Sequence, residues 1–407
     1  MSSEDELRPI SLTPCLSKIL EDFVVKWLMF DIRHMIDPKQ FGSLKGSSTT
    51  FCLIDMVDNW LKSLDNPSHY LRVCFLDFSK AFDRINHNIL ITKLLSLGAR
   101  ASLVPWICDF LTNRRQSVKI GSFRSDWAFI NGGVPQGTKL GPILFLVVIN
   151  DLELKSPLSY HWKYVDDISI SECIPAQGCS SLQSDLDEIQ QCASRNDMML
   201  NGKKCKEMNV NFLRQSLVIT PLSIDGQSLD QVLSFKVLGV TLNHRLKWDA
   251  HVEVTVKKAS KRLYILRVLR RSGVPPSDLL LIYISLVRSV LEYACSVWHT
   301  SLTKGQSNAI ELIQKRAFRI IYPGVHYADA LQNANCIRTD ERRHELCLKT
   351  FKKIGNPSSQ LHHLFPVSRG SMHGRSLRNN NSSTLPSSKC HTERYIKSFI
   401  PAMCYNH

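Results

Sequence analysis

Three acidic residues stand where chemistry could be done. Asp77 sits near the end of a nearly continuous apolar run, Arg72 to Phe78, within Phe75-Leu76-Asp77-Phe78-Ser79-Lys80-Ala81-Phe82-Asp83. Asp166-Asp167 follow 89 residues after Asp77, flanked by Trp162 and Tyr164 on one side and Ile168 and Ile170 on the other. Carboxylates in apolar surroundings repel one another and are expensive to desolvate, so a counter-charge has to accompany them. Hard divalent cations with oxygen ligands supply it, and Mg²⁺ suits a site completed by phosphates and water. Two such ions can activate an attacking hydroxyl and stabilise a leaving oxyanion in an in-line phosphoryl transfer. The plainer reading is an ordinary acidic turn at 166–167 and a helix cap at Asp77.

The surrounding periodicities say which elements hold these acids. A helix is predicted from about Ser11 to His34, with Leu16, Ile19, Leu20, Phe23 and Trp27 as its apolar stripe. Gly46-Ser47-Ser48-Thr49-Thr50 can cap a second helix carrying Phe51, Ile54, Val57 and Leu61. The run from Arg72 reads as a strand buried on both faces. Gln116 to Ile120, Gly121-Ser122 and Trp127 to Asn131 read as a hairpin. After Gly132-Gly133, Gly141-Pro142 opens an apolar helix through Leu152. Alternation around Asp166-Asp167 gives a hairpin with an acidic tip. A helix through Leu182, Leu186, Ile189 and Ala193, ending at Asn201-Gly202, then leads to a strand from Glu207 to Phe212. This order fits a split βαβ, ferredoxin-like sheet in an α+β fold.

From Trp248 onward long helices take over. Val252, Val256, Ala259, Leu263 and Leu266 form one stripe, and between Lys257 and Arg271 there are seven basic residues and no acidic one. Solvated faces usually mix signs, so a one-sign helix suits a polyanion. Further helices are expected after Pro275-Pro276 and from Asn308 to Ile321, and residues 356–407, rich in Ser, Asn, Pro and His, read as a poorly ordered tail.

The 407 residues carry a net charge of +15, which favours nucleic acid over a membrane surface as partner. The most apolar stretch, Leu279 to Trp298, contains Arg288 and Glu292, so no membrane span is expected. Thirteen cysteines without a CxxC pair suggest reduced thiols and an intracellular setting, nucleus or cytoplasm. Cys390-His391 and Cys404 with His407 fit no ordinary zinc finger spacing.

The segments Phe75 to Asp83, Gly133-Val134-Pro135-Gln136-Gly137-Thr138-Lys139-Leu140-Gly141-Pro142 and Tyr164-Val165-Asp166-Asp167 resemble, in order and separation, motifs A, B and C of reverse transcriptases. The likeness is to those of non-LTR (LINE-type) retrotransposons. Arg8-Pro9-Ile10-Ser11-Leu12 with the helix through Leu20-Glu21, and Gln40-Phe41-Gly42 with Ser48-Thr49-Thr50, resemble finger motifs of the same family, and the resemblance runs from Arg8 to about Pro323. It implies a right-hand polymerase with partial fingers and a palm (1–242), a helical thumb (243–355) and the tail.

By that resemblance, Asp77, Asp166 and Asp167 hold two Mg²⁺ ions, with Mn²⁺ as the alternative, and the Phe78 carbonyl is an extra ligand. Phe82 is the steric gate that selects deoxynucleotides, or simple core packing, or both. Asp83 is structural. Gln136-Gly137 packs on the incoming nucleotide and templating base, and Arg8 holds the triphosphate. Lys204, among Lys203, Lys204 and Lys206, protonates the departing pyrophosphate. Leu238-Gly239, within Phe235-Lys236-Val237-Leu238-Gly239-Val240, forms the primer grip, and Lys257, Lys258, Lys261 and Arg262 track the duplex backbone. The implied partners are an RNA template, a DNA primer and deoxynucleoside triphosphates; oligomeric state is left open. Two departures accompany the match: the chain starts almost at the Arg8 block, and Ser47 stands where relatives often place a basic residue. Two other readings are therefore carried: a truncated retroelement product that binds nucleic acid without catalysis, and an RNA-dependent RNA polymerase. Phe82 and the Tyr-Val-Asp-Asp sequence speak against the second.

Overall fold

The computed structural model describes residues 10–214, 217–366 and 390–405. The first helix, α1 (Cys15–Ile32), turns its Glu21, Val24, Leu28 and Ile32 inward. The expected stripe of Leu16, Ile19, Leu20, Phe23 and Trp27 faces outward instead. Glu21 explains the rotation: its carboxylate accepts the backbone N–H groups of Lys139 and Leu140 at the start of a later helix, so the helix is oriented by a buried cap. Helix α2 (Thr49–Ser63) begins as predicted, with the Ser48 hydroxyl accepting from the Phe51 N–H.

Strand β1 (His69–Leu76) is buried along nearly its whole length. Its Leu71, Val73 and Phe75 join one core and its Cys74 and Leu76 the other, as a strand covered on both faces must. Helices α3 (His87–Ser96) and α4 (Val104–Leu111) follow. The predicted hairpin is a two-step arm: β2 (Arg114–Gln116) pairs with β5 (Ala128–Ile130), and β3 (Lys119–Ile120) with β4 (Phe123–Arg124). The apolar helix is α5 (Leu140–Val148), after which β6 (Ser159–Tyr164) and β7 (Asp167–Pro175) form the acidic hairpin. Helix α6 (Leu182–Arg195) stops six residues before the predicted Asn201, because Asp197 enters the left-handed region at φ +54°. Strand β8 (Lys206–Val210) completes the antiparallel order β8-β1-β7-β6. That is the ferredoxin-like arrangement expected, with α2 on one face and α3, α5 and α6 on the other.

Two small hairpins come next: β9 (Ser223–Ile224) with β10 (Gln227–Ser228), then, after the edge strand β11 (Asp230–Gln231), β12 (Ser234–Val237) with β13 (Val240–Asn243). The second turns on Leu238 and Gly239, both at positive φ (+44° and +85°), the signature of a two-residue hairpin turn.

The thumb begins with α7 (Asp249–Arg271), whose Val252, Ala259, Leu263 and Leu266 are buried as predicted. Helix α8 (Pro276–Ile282) passes through a π-helical segment, Tyr283–Arg288, into α9 (Ser289–Glu292), and Ala294 at φ +49° breaks the chain before α10 (Cys295–Trp298). The span Pro276–Ser301 is long and apolar enough to cross a membrane by composition. Here its Leu279, Tyr283, Val287, Leu291 and Trp298 fill the thumb core. Helices α11 (Lys304–Ile321), α12 (Tyr327–Asn333) and α13 (Thr339–Ile354) close the bundle.

The poorly ordered tail is corrected in part. Residues 367–389 and His407 lie outside the described residues, but α14 (Glu393–Ile396) and α15 (Phe399–Tyr405) bury Tyr395, Phe399, Met403 and Cys404 in the core shared with α2 and α13. Asp65 secures this return by accepting from the His391 and Thr392 N–H groups and the Thr392 hydroxyl. The polar composition just upstream concealed the short apolar run.

Palm and thumb meet at His251 in α7. Its Nδ1 accepts the Thr241 N–H from β13, and its ring lies against Trp248 and Trp298. Burial pulls its pKa down to about 4, so the neutral ring is the folded form. The unfolded chain takes up this proton near pH 6.5 and the folded one only near 4; stability is therefore full above 6.5 and falls between those values. The expected loss is on the order of 3 kcal/mol. Urea unfolding across this pH window should show it, and His251→Gln should flatten that part of the profile.

Candidate active site

The β1–β7 register pairs Tyr70 with Ile174 and Leu76 with Ile168, which brings Asp77, one step further, opposite Asp167. In the other half of the hairpin Tyr164 pairs with Asp167, leaving Val165 and Asp166 as the tip. Val165 has φ +58°, a conformation that a β-branched residue adopts only under outside constraint.

The constraint comes from residues 39–42. Gln40, 2% exposed, accepts the Val165 N–H (3.1 Å) and the Gly42 N–H (2.8 Å) through one side-chain oxygen. The Phe41 N–H donates to the Lys163 carbonyl (2.8 Å) and the Lys163 N–H to the Lys39 carbonyl (3.0 Å), so the segment lies along the free edge of β6. A Cβ on Gly42 would stand 2.5 Å from the Val165 nitrogen, so only glycine fits there. Beneath the tip, fully buried Lys163 pairs with Asp37 (2.6 Å) and donates to the Ile149 (3.2 Å) and Leu152 (2.8 Å) carbonyls after α5. Burial pulls the Asp37 pKa up, but the His161 hydrogen bond and the Lys163 charge outweigh it and hold the carboxyl well below its ordinary value.

Asp77 is held from the other side. The Asn201 N–H donates to its carbonyl (2.7 Å), the Ser79 N–H donates to the Met199 carbonyl (2.8 Å), and buried Phe78 bridges Leu200. The Asp77 N–H points at the Cys205 sulfur (3.4 Å), whose thiol is pushed up to about 11 by burial and stays protonated. Lys204 Nζ stands 3.9 Å from the Asp77 carboxylate on a largely exposed side chain. Lys206 is instead engaged with Asp230 (2.6 Å) and with the Lys203 carbonyl (2.8 Å).

Asp77, Asp167, Lys204, Lys236 and Leu238 line one cleft of about 230 Å³, so acids, lysine and the β12–β13 turn face the same space. Phe75 stacks on Phe235 at 4.3 Å, fixing that hairpin to the sheet. Tyr293 holds its turn: the hydroxyl donates to the Leu238 carbonyl (2.7 Å) and shares a hydrogen bond with the Thr49 hydroxyl (3.1 Å).

The loop before α5 is built onto the Asp83 turn. The Val134 N–H donates to the Phe82 carbonyl (2.8 Å), and Gln136 Nε2 to Asp83 Oδ1 (2.9 Å). Phe82 is half-buried with its ring 5.1 Å from Phe145. Gly137 needs its glycine at φ +94°, but the backbone it approaches is the chain's own Ser11, whose N–H donates to the Gln136 carbonyl (2.8 Å). Arg8 lies outside the described residues. On α7, Lys257, Lys258 and Lys261 are exposed, whereas Arg262 donates to the Leu286 carbonyl and braces two thumb helices.

The carboxylates offer hard oxygen donors only. Among the described residues no three His, Cys, Asp or Glu side chains form a ready metal cage. An open set of this kind fits Mg²⁺, which binds through one or two carboxylates and takes its other ligands from phosphates and water.

The description "Reverse transcriptase (RNA-dependent DNA polymerase)" belongs to a family model that matches residues 2–242. The chain belongs to that family. Among curated relatives the chain is 29% identical over 341 residues to the probable RNA-directed DNA polymerase from transposon BS of Drosophila melanogaster, covering 80% of this chain and 37% of that protein. It is 30% identical to the polymerase from the mobile element jockey of the same fly (78% and 36% covered). To the probable polymerase from transposon X-element it is 27% identical (77% and 35% covered). These relatives bear out the LINE-type resemblance, and the chain spans a little over a third of their length. Among solved structures, telomerase from Candida tropicalis with a telomeric RNA fragment matches at 13% identity and a TM-score of 0.43, covering 86% of this chain and 53% of that one.

Of the residues that hold the site, Lys163, Cys205 and Tyr293 escaped sequence reasoning, and Glu21 was legible only as part of the finger-motif helix; their contacts with Asp37, Asp77, Leu238, Thr49 and Lys139 span 55 to 244 positions and leave no local pattern. Gln40 had a signal, its place in Gln40-Phe41-Gly42. Replacing it by leucine leaves the Val165 N–H unpaired, so Gln40→Leu is expected to lower unfolding free energy by roughly 1–3 kcal/mol in urea titrations.

Proposed function

We propose that this chain is the polymerising segment of a LINE-type element, extending a DNA primer on an RNA template with deoxynucleoside triphosphates. The observation that carries the reading is the meeting of Asp77 with Asp167 across the β1–β7 register, beside Asp166, Lys204 and the Leu238-Gly239 turn. Asp77, Asp166 and Asp167 would hold two Mg²⁺ ions. When bound, such ions lower the pKa of the attacking hydroxyl and stabilise charge on the leaving oxygen.

The chain's own side chains supply the rest. Lys204, an ammonium already drawn to Asp77, is the proton donor for the departing pyrophosphate. Phe82, stiffened by Phe145, forms the floor that excludes a ribose 2′-hydroxyl, and the Gln136–Asp83 bond keeps the glycine loop in register with that floor. Leu238 and Gly239, braced by Tyr293, position the primer end. Lys257, Lys258 and Lys261 face the duplex backbone, and Arg8 the triphosphate. The thirteen free thiols suit a reducing nuclear or cytoplasmic setting.

Primer extension on an RNA template with Mg²⁺ tests the assignment. Asp166→Ala or Asp167→Asn should lose several kcal/mol of transition-state stabilisation, on the order of 10³-fold in rate. An Asp166→Ala protein that extends at the parental rate would overturn the reading. Phe82→Val should raise ribonucleotide incorporation relative to deoxynucleotide; an unchanged ratio would assign Phe82 to packing alone.

A further inference from the structure

The arm formed by β2 to β5 exposes three large aromatic side chains within seven residues: Phe123 (82% exposed), Trp127 (61%) and Phe129 (64%). Rings this open normally mark a binding surface rather than a fold requirement. Each of two rings carries a cation. Arg115 pairs with Phe129 in the β2–β5 register with its guanidinium 4.7 Å from the ring centroid, and Arg124 stands 5.6 Å from the centroid of Trp127. Lys119 pairs with Arg124 across the outer ladder.

The register explains how Arg115, Lys119, Arg124, Trp127 and Phe129 come together, while Phe123, paired with Ile120, faces the other side of the ladder. Lys119 faces Arg124 and the Ser125 N–H donates to the Val118 carbonyl, while further down Gln116 faces Ala128, so the returning strand carries one extra residue near Asp126. Such a bulge re-aims the side chains beyond it. Asp126 is the one acid among the four cations of residues 114–129.

The base of the arm is fixed. Arg114 donates to the Leu111 (3.0 Å), Gly132 (2.9 Å) and Gly133 (2.7 Å) carbonyls, tying it to the loop that continues into Gln136.

We propose that this arm is a stacking surface for single-stranded nucleic acid, the template strand that has not yet been copied. Flat rings alternating with cations fit a ligand with exposed base faces and an anionic backbone. A duplex hides its base faces and leaves these rings nothing to stack on, and four cations against one acid suit a polyanion better than a protein partner. The direction of the strand rests on the polymerase reading, in which Gln136-Gly137 lies at the templating base.

Binding of two RNA–DNA hybrids, measured by fluorescence anisotropy, tests it: one with about ten unpaired template nucleotides, within the usual span of a single-strand site, and one with a single unpaired nucleotide. Trp127→Ala with Phe129→Ala should weaken the long-overhang hybrid roughly 10-fold or more, and the short one clearly less. A second variant, Arg115→Gln with Lys119→Gln and Arg124→Gln, should make the slope of log affinity against log salt shallower by about 2 on the long overhang. Equal losses on both hybrids overturn the proposal, as does unchanged binding by both variants accompanied by altered self-association, the result expected of a protein-docking surface. Thermal melts of the variants exclude misfolding as the cause of a loss. Extension of the short-overhang hybrid by the parent protein reports separately on the polymerase reading.

Discussion

A β-branched residue forced into the left-handed region at the tip of the acidic hairpin, next to Asp166, is the constraint on which the rest depends. Val165 turns the β6–β7 hairpin tightly enough to bring Asp167 opposite Asp77, and it stays there because Gln40, Gly42 and Lys163 surround it. Strain of this kind, on the order of 1–3 kcal/mol, persists only when neighbours over-determine the conformation. The neighbours come from the loop before α2, the edge of β6 and the carbonyls after α5. Acid geometry is thus a property of three chain segments.

The same economy of contacts joins palm and thumb. One continuous core runs from Phe41 and Trp60 through Phe75 and Val237 to Leu263, Phe351 and Met403. Asp55 sits at its edge, accepting Lys39 Nζ (2.6 Å), Trp162 Nε1 (2.7 Å) and His363 Nε2 (2.8 Å), and so links the finger loop, the acidic hairpin and the chain beyond α13. Tyr293 does similar work at the surface by touching both α2 and the β12–β13 turn.

What the sequence disclosed was what short-range pattern encodes. The buried strand expected from Arg72 to Phe78 and observed over His69–Leu76, the acidic hairpin and the α7 stripe were all legible because each depends on period or burial within a few residues. The rotation of α1 was not, since both of its faces are apolar and the choice was made by Glu21 capping a helix more than a hundred residues away. The acids themselves were legible. Their supports were less so: a buried lysine and a buried cysteine look from sequence like a charged edge residue and a small hydrophobe. Arg262 shows the converse, a residue in a basic run whose guanidinium is committed to a backbone carbonyl of the neighbouring helix.

The return of α14 and α15 onto α2 gives the chain a unit of folding longer than the segment that the family model matches. The family model ends at residue 242, yet α2 within it is covered by side chains from residues 295–298 and 393–404. A gene fragment cut at that boundary would carry every motif and expose the apolar side of Trp60, Val57 and Leu61 to water. Exchange of this palm between elements therefore has to take the helices beyond it along.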